Sequence, residues 1–270
     1  MRRWVAALVV LCALLFGASA HASPVDAERP VAPTDGWSGS VDGRAALSAG
    51  NVDRVDLGGA AAVHWQSFFD PRPDDPLPFL RSRWTALADG ALATLGDRRF
   101  VQRSFAHTRF THMPHRRIGI DGFAQVQADA FTRLRLRIIT GVGGRVVAVH
   151  RRAFQLWGGL AYMPEYERND TLPGDPHPAR TVNHRGTSYA SFLLRPFSEG
   201  SLALRSTLYA QPRLDDPSDL RLLHHVRLEA SAAPRLTIGF ETQVVHDTRP
   251  PRGVAPTDLT VRSVLRLRIP

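Results

Sequence analysis

The sequence predicts an all-β chain folded as an antiparallel up-and-down transmembrane β-barrel of about twelve strands. Three observations predict it. Segment after segment alternates apolar and polar residues with period two, the signature of a strand with two different faces. The breaks between segments alternate between short and long, as connections do at the two rims of a barrel. The amino-terminal residues follow the order of a cleavable secretory signal.

That signal comes first in the chain. Arg2 and Arg3 make a basic start, Trp4 to Phe16 form an uncharged apolar run, and Gly17 to Ala22 turn small, ending Ala20-His21-Ala22 before Ser23. Signal peptidase needs small side chains at that point, so residues 1–22 are expected to be removed by a cut near Ala22. The apolar run falls short of the ~20 residues a membrane helix needs. Cys12 is the only cysteine and lies inside the run, where bulky Leu11 does not suit lipid attachment. Residues 23–35 are rich in Pro, Ala and acidic side chains without periodicity and read as a flexible leader. Residues 36–270 then form the barrel domain.

From Gly36 the strands can be taken in order. Trp37, Gly39, Val41, Gly43, Ala45 and Leu47 alternate with Ser38, Ser40, Asp42, Arg44 and Ser48, and Gly50-Asn51 suits a tight hairpin. Val55, Leu57, Val63 and Trp65 then oppose Arg54, Asp56, His64 and Gln66. Weaker strands are expected near 79–92 and 99–112. In 118–129, Ile118, Ile120, Ala124 and Val126 oppose Asp121, Gln125, Gln127 and Asp129. In 133–145, Leu134, Leu136, Ile138 and Val142 oppose Arg133, Arg135, Arg137 and Arg145. Weaker segments follow near 153–167 and 185–195. A clear one spans 201–211, with Leu202, Leu204 and Leu208 against Arg205 and Thr207, and a weaker one lies near 220–231. Leu236, Ile238, Phe240 and Val244 oppose Thr237, Glu241 and Gln243, and the last run sets Leu259, Val261, Leu265 and Leu267 against Arg262, Arg266 and Arg268.

With the amino terminus in the periplasm, the long breaks at Asn169–Val182 and Asp247–Thr257 face outward, while Met113–Arg117, Val149–Ala153, Pro196–Gly200 and Ala232–Pro234 face inward and are short. Phe68–Pro78 breaks this pattern, being long on the short side. Trp37, Trp65 and Phe154 fall on the apolar face near the periplasmic rim and Tyr162 near the outer rim, where amphipathic rings favour the lipid–water boundary. Trp157 points inward in this register, and His224 lands on the apolar face in mid-strand, at a cost.

The formal charge of +9 raises the question of nucleic acid. All 34 basic residues are arginine, with no lysine, and they spread along the whole chain instead of forming a stripe, so no nucleic-acid partner is expected. His107, His112 and His115, the His224-His225 pair, and His177 with His184 lack metal-ligand spacing, because adjacent strand residues point to opposite faces. A His-x-Ser pair that could build a strand-borne nucleophile occurs only at His21-Ala22-Ser23, across the expected cut. No catalytic, cofactor or metal site is therefore assigned.

The polar face carries the candidate constellation: Arg44, Arg54, Arg133, Arg135, Arg137, Arg205, Arg227 and Arg266, with Asp121, Asp129, Glu165 and Glu241 as acidic counterparts, all expected to face the lumen. Crossed ion pairs could fill and stiffen a narrow interior. Alternatively, positive rings could line a small pore that prefers anions.

Three stretches carry a family resemblance: GWSGSVDGRAALSAGNVD, DAFTRLRLRIITGVGGRV and GGLAYMPEYE. Ser48-Ala49-Gly50-Asn51, the run Asp129 to Arg137, and the pair Glu165/Glu167 resemble the YdiY-like family of salt-induced outer-membrane proteins, a family of unknown function. The resemblance implies an outer-membrane barrel, with lipid and the assembly machinery as partners, and a connection to salt or envelope stress. The ending Ile269-Pro270 departs from the aromatic terminus that such proteins usually show that machinery. The rival expectation is a soluble periplasmic β-barrel binding an apolar ligand, with the apolar face turned inward. Alternation alone does not separate the two.

Overall fold

The computed structural model describes residues 35–48, 54–95, 98–197, 201–233 and 236–267. The signal segment, the cut near Ala22, the leader up to residue 34, the Gly50-Asn51 hairpin and Ile269-Pro270 lie outside the described residues.

The described residues form twelve strands: β1 (Gly36–Ser48), β2 (Arg54–Phe68), β3 (Leu80–Leu95), β4 (Arg98–His115), β5 (Ile118–Asp129), β6 (Leu134–His150), β7 (Phe154–Asn169), β8 (Arg180–Leu194), β9 (Leu202–Pro212), β10 (Leu220–Ala233), β11 (Leu236–Asp247) and β12 (Thr257–Leu267). Each is at least as long as the ~9–11 residues that cross a bilayer obliquely. All pair antiparallel with their sequence neighbours in one sheet ordered β1 to β12. Among the described residues no helix is long and apolar enough to cross a membrane, which says nothing of strands.

The sheet curls into a barrel, as contacts between distant strands require. On a flat sheet three strand spacings of ~4.8 Å would hold β5 and β8 about 14 Å apart. Yet the Tyr189 hydroxyl on β8 donates to Asp121 Oδ2 on β5 at 2.8 Å. At one end, Asp129 of β5 and Thr260 of β12 line the same pocket, so strands seven apart in order face each other across the interior.

The two faces follow the period-two pattern. Val41, Val142, Leu160, Val182 and Leu259 are 86, 62, 70, 69 and 62 % exposed, while the buried set is rich in Arg, Asp, Glu and Gln. A water-soluble fold reverses that assignment. Pairing sets Trp37 of β1 beside Trp65 of β2, Trp65 beside Trp84 of β3, and Trp84 beside Phe110 of β4, an aromatic row across four strands on the outward face. Trp37 and Trp84 also meet edge to face at 5.7 Å. Trp84 was outside the expected girdle; Trp157 is buried inside, as the alternation places it.

Two elements differ from expectation. Leu134 is buried opposite Asp129 and Asn169, and the register shifts between Leu134 and Leu136. The extra residue, Arg135, is exposed and pairs with Asp170 at 2.6 Å, and Arg133 sits in the β5–β6 turn with φ +59°. A bulge inserts one residue and flips the alternation behind it, so neither arginine belongs to the inward row that continues from Arg137. The second difference is the β2–β3 connection, residues 69–79, whose length the rim pattern does not explain. It folds into the barrel mouth: Phe79 is buried against the His150 ring at 4.0 Å, and His150 Nε2 reaches Leu77 O at 3.3 Å. Arg152 donates to Pro76 O at 3.0 Å, and Arg116 donates to Asp70 O at 2.8 Å and pairs with Asp75.

His224 does lie on the outward face. Its Nε2 meets the hydroxyl of Ser206 on β9 at 2.9 Å, which offsets part of the cost of a polar ring there.

Candidate functional site

The inward side chains form three zones along the barrel. The first lies toward the long β7–β8 and β11–β12 connections. Glu165 and Glu167 stand two apart on β7 and so share its inner face. The Glu165 carboxylate accepts from Arg137 Nε at 2.7 Å, Arg185 Nε at 3.0 Å, Arg221 Nη1 at 2.6 Å and Asn183 Nδ2 at 3.1 Å. Glu167 meets Arg137 at 3.2 Å and Arg221 at 2.9 Å. Asp219 takes Arg185 at 2.8 Å and Arg213 at 3.1 Å, and Asp247 takes Arg221 Nε at 2.7 Å. Four carboxylates thus face four guanidiniums. Ions removed from water are tolerable only when their partners satisfy them this fully. The consequence is mechanical: Arg221 on β10 reaches past β8 and β9 to Glu165 and Glu167 on β7, a brace along the inner wall.

The middle zone is aromatic and cationic. Trp157, Tyr189, Leu193, Tyr209 and Leu223 pack as a buried cluster from β7, β8, β9 and β10. Arg145 and Arg205 lie over the Trp157 ring at 5.7 and 5.6 Å, and Arg109 lies over Tyr189 at 5.4 Å. Cations over ring faces gain most where water is scarce. Asp121, buried, accepts from the Thr111 hydroxyl as well as from Tyr189.

The third zone is the mouth closed over by the β2–β3 connection. Arg116 lies over Phe69 and Phe79 at 5.6 and 5.3 Å. The Arg72 backbone N–H donates to Asp75 at 2.8 Å, and this bond, with the Arg116 guanidinium, holds the Asp75 carboxyl below the usual aspartate range. At the opposite rim, the His177 N–H and then the Arg252 N–H do the same for Asp175, tying the β7–β8 connection to the β11–β12 connection.

The sequence-predicted residues fall as follows. Arg137, Glu165 and Asp121 lie in the first two zones, with Arg205 beside Trp157. Asp129 is buried at the rim, where it accepts the Phe131 N–H at 2.9 Å and shapes the β5–β6 turn. Arg227 and Glu241 meet at 3.4 Å, with His225 also 3.1 Å from Glu241. Arg133 and Arg135 stand outside the constellation, for the reason given above. The side chains of Arg44, Arg54 and Arg266 lie outside the described residues. Arg185, at the centre of the ion-pair zone and 1 % exposed, escaped sequence reasoning because its strand alternates weakly: the outward positions His184, Gly186 and Ser188 are not apolar. Its place between Asn183 and Thr187, all at odd positions, was the available signal. Among the described residues no group of three or more His, Cys, Asp or Glu side chains is arranged to hold a metal ion.

The family model described as protein of unknown function, DUF481, matches residues 79–266. No curated protein matches the chain. Among solved structures, the NanC porin in a rhombohedral crystal form is similar at 9 % identity and a TM-score of 0.44, over 86 % of this chain and 99 % of that one.

Proposed function

The chain belongs to the DUF481 family of proteins of unknown function, and from its geometry we propose that it is an outer-membrane β-barrel of structural or small-pore type, exported with its signal cut near Ala22. One observation carries the reading: the exposed belt is apolar while the enclosed face holds Arg137, Arg185, Arg221, Glu165 and Glu167. Hydrocarbon around the belt removes the penalty that water would impose on residues such as Val41 and Leu160, 86 and 70 % exposed. The Trp37–Trp65–Trp84–Phe110 row suits one lipid–water boundary. Lipid and the outer-membrane assembly machinery are then its partners. A soluble barrel with an apolar interior would need the opposite burial.

Between the structural and the pore readings, the ion-paired brace from Arg221 to β7 and the infolded β2–β3 connection favour a stiffened interior without steady conductance. Cell fractionation and heat-modifiable gel mobility test the location; a freely soluble product released by osmotic shock overturns it. Planar-bilayer recording tests the interior, with no steady current expected and anion-selective channel events favouring the pore. The resemblance to salt-induced proteins extends the proposal to envelope stress, and a deletion strain is expected to grow more slowly at high salt.

A further inference from the structure

We infer that the pocket at the rim of the long β7–β8 and β11–β12 connections is a binding site for a small dissolved solute with a primary ammonium group and a neighbouring oxygen, the chemistry of an amino alcohol. Two groups on its wall carry the inference, and both lack a partner among the described residues. The first is Asn169 at the end of β7. It lines the pocket at 7 % exposure, and its amide Nδ2 is buried with no hydrogen-bond partner. An unsatisfied buried amide is costly, and a bound ligand removes that cost. The second is Asp258 near the start of β12, half-buried on the same inward side as Thr260 two positions on. No cation lies within ion-pair distance of its carboxylate and no hydrogen bond reaches it among the described residues. The other carboxylates of the wall are already engaged. Glu167 is held by Arg137 and Arg221, Asp247 by Arg221, and Asp129 accepts the Phe131 N–H. Both wall arginines also serve Glu165. Asp258 is therefore the charge left over.

The rest of the wall sets the size and body of the ligand. Leu134 and Val245 line the pocket from β6 and β11, and Pro250, Pro251, Val254 and Pro256 line it from the β11–β12 connection. That connection is tied down: Asp175 accepts the Arg252 N–H at 3.0 Å, and the Asp247 N–H donates to Pro256 O at 2.8 Å. Proline fixes its own φ, so this part of the wall is largely formed before a ligand arrives and little ordering is paid on binding. The volume is about 110 Å³, less than the ~150 Å³ that accommodates benzene in an apolar cavity, and suits a solute of a few heavy atoms. A primary ammonium makes a charge-assisted bond to Asp258, and an oxygen beside it accepts from the Asn169 amide. No Phe, Tyr or Trp lines the space, so a quaternary ammonium would lack its aromatic cage. The described residues bring no three metal-ligating side chains together, which sets a bare metal ion aside. The two carrying side chains face inward, away from the lipid belt, so the ligand is a dissolved solute and not a lipid headgroup.

The site goes beyond the barrel reading and requires no conductance. The test is calorimetric titration of the exported chain, folded in detergent near neutral pH, with ethanolamine, ethylene glycol and propylamine. Ethanolamine is expected to bind at least about tenfold tighter than ethylene glycol, the effect of one charge-assisted contact. It should also bind several-fold tighter than propylamine, which keeps the ammonium and lacks the oxygen. Asp258→Asn removes the free charge at a half-buried, unpaired position, so it burdens folding little and should weaken ethanolamine about tenfold. Asn169→Leu should bring ethanolamine down to the propylamine level without lowering stability, because it removes a buried donor that has no partner. Asp170→Asn, on the exposed pair with Arg135, should leave binding unchanged. A chain with heat-modifiable mobility that binds no ethanolamine, or binds ethylene glycol equally, overturns the site and leaves the barrel reading standing. So does an Asp258→Asn variant that binds as tightly as the original chain. Equal affinity for propylamine and ethanolamine overturns the role of Asn169. A freely soluble chain without the mobility shift overturns the barrel reading, and the same titration still decides the site.

Discussion

Arg221 on β10 donates from Nη1 to Glu165 Oε2 on β7 at 2.6 Å, passing over the two strands between them. The same guanidinium reaches Glu167 at 2.9 Å and Asp247 on β11 at 2.7 Å. One side chain therefore joins three strands around a curved wall, and the charge that makes this possible is buried where loss of a partner is expensive.

Glu165→Gln keeps the shape and removes the charge that three arginines share. Breaking a buried ion pair by removing one partner costs about 3–5 kcal/mol. Denaturant unfolding in lipid vesicles, followed by loss of heat-modifiable mobility, should show a loss of that order. A change below about 1 kcal/mol would mean that water reaches the cluster and screens it.

Val142→Arg tests which solvent surrounds the belt. Val142 is 62 % exposed, in the middle part of β6. In a bilayer an arginine near the midplane costs about 2–4 kcal/mol. At an exposed position in water the same change would fall within about 0.5 kcal/mol of neutral. Unfolding measured in vesicles separates the two outcomes.

The Asp75 anchor makes the β2–β3 connection sensitive to acid. Its carboxyl is held below the ordinary value near 3.9 by the Arg72 N–H and the Arg116 guanidinium. A lowered folded-state value contributes stability that is fully present above the unfolded value and lost as pH falls through the folded one. Hydrogen exchange of residues 69–79 should therefore show protection at neutral pH that drops only in strong acid. Asp75→Asn should lower that protection at neutral pH and flatten its pH dependence.

Two adjacent glycines on β6 should behave oppositely. A Cβ on Gly143 would lie 2.1 Å from Leu160 O and 2.4 Å from Ala161 Cβ, whereas one on Gly144 meets nothing within 4 Å. Gly143→Ala forces the β6–β7 backbones apart and should cost about 1–3 kcal/mol, as overpacking does. Gly144→Ala should be close to neutral or slightly stabilising. The refolded fraction on gels, measured side by side, checks both.

Most of the strand order was legible in the chain. In segments such as Ile118–Asp129 the outward and inward residue types differ sharply, and a strand's alternation is local geometry that needs no tertiary information. Weakly contrasted strands were harder: β8 starts at Arg180, five residues before the expected start, because its outward positions carry His184, Gly186 and Ser188. Arg133 and Arg135 were misplaced for a different reason. A bulge shifts the register by one, and nothing in the run RLRLR marks which residue is extra.

The sequence by itself determined the number of strands, the side of the sheet to which most residues point, and the sorting of apolar from charged faces. These are set by neighbours along one strand. Only the tertiary structure decided which charges meet, since Arg221 and Glu165 lie 56 residues apart and touch because the sheet curls. It also decided that residues 69–79 turn into the mouth, and that Asn169 of β7 and Asp258 of β12 border one pocket. Curvature brings together strands that are far apart in sequence, and a period-two pattern carries no information about what lies opposite across a lumen.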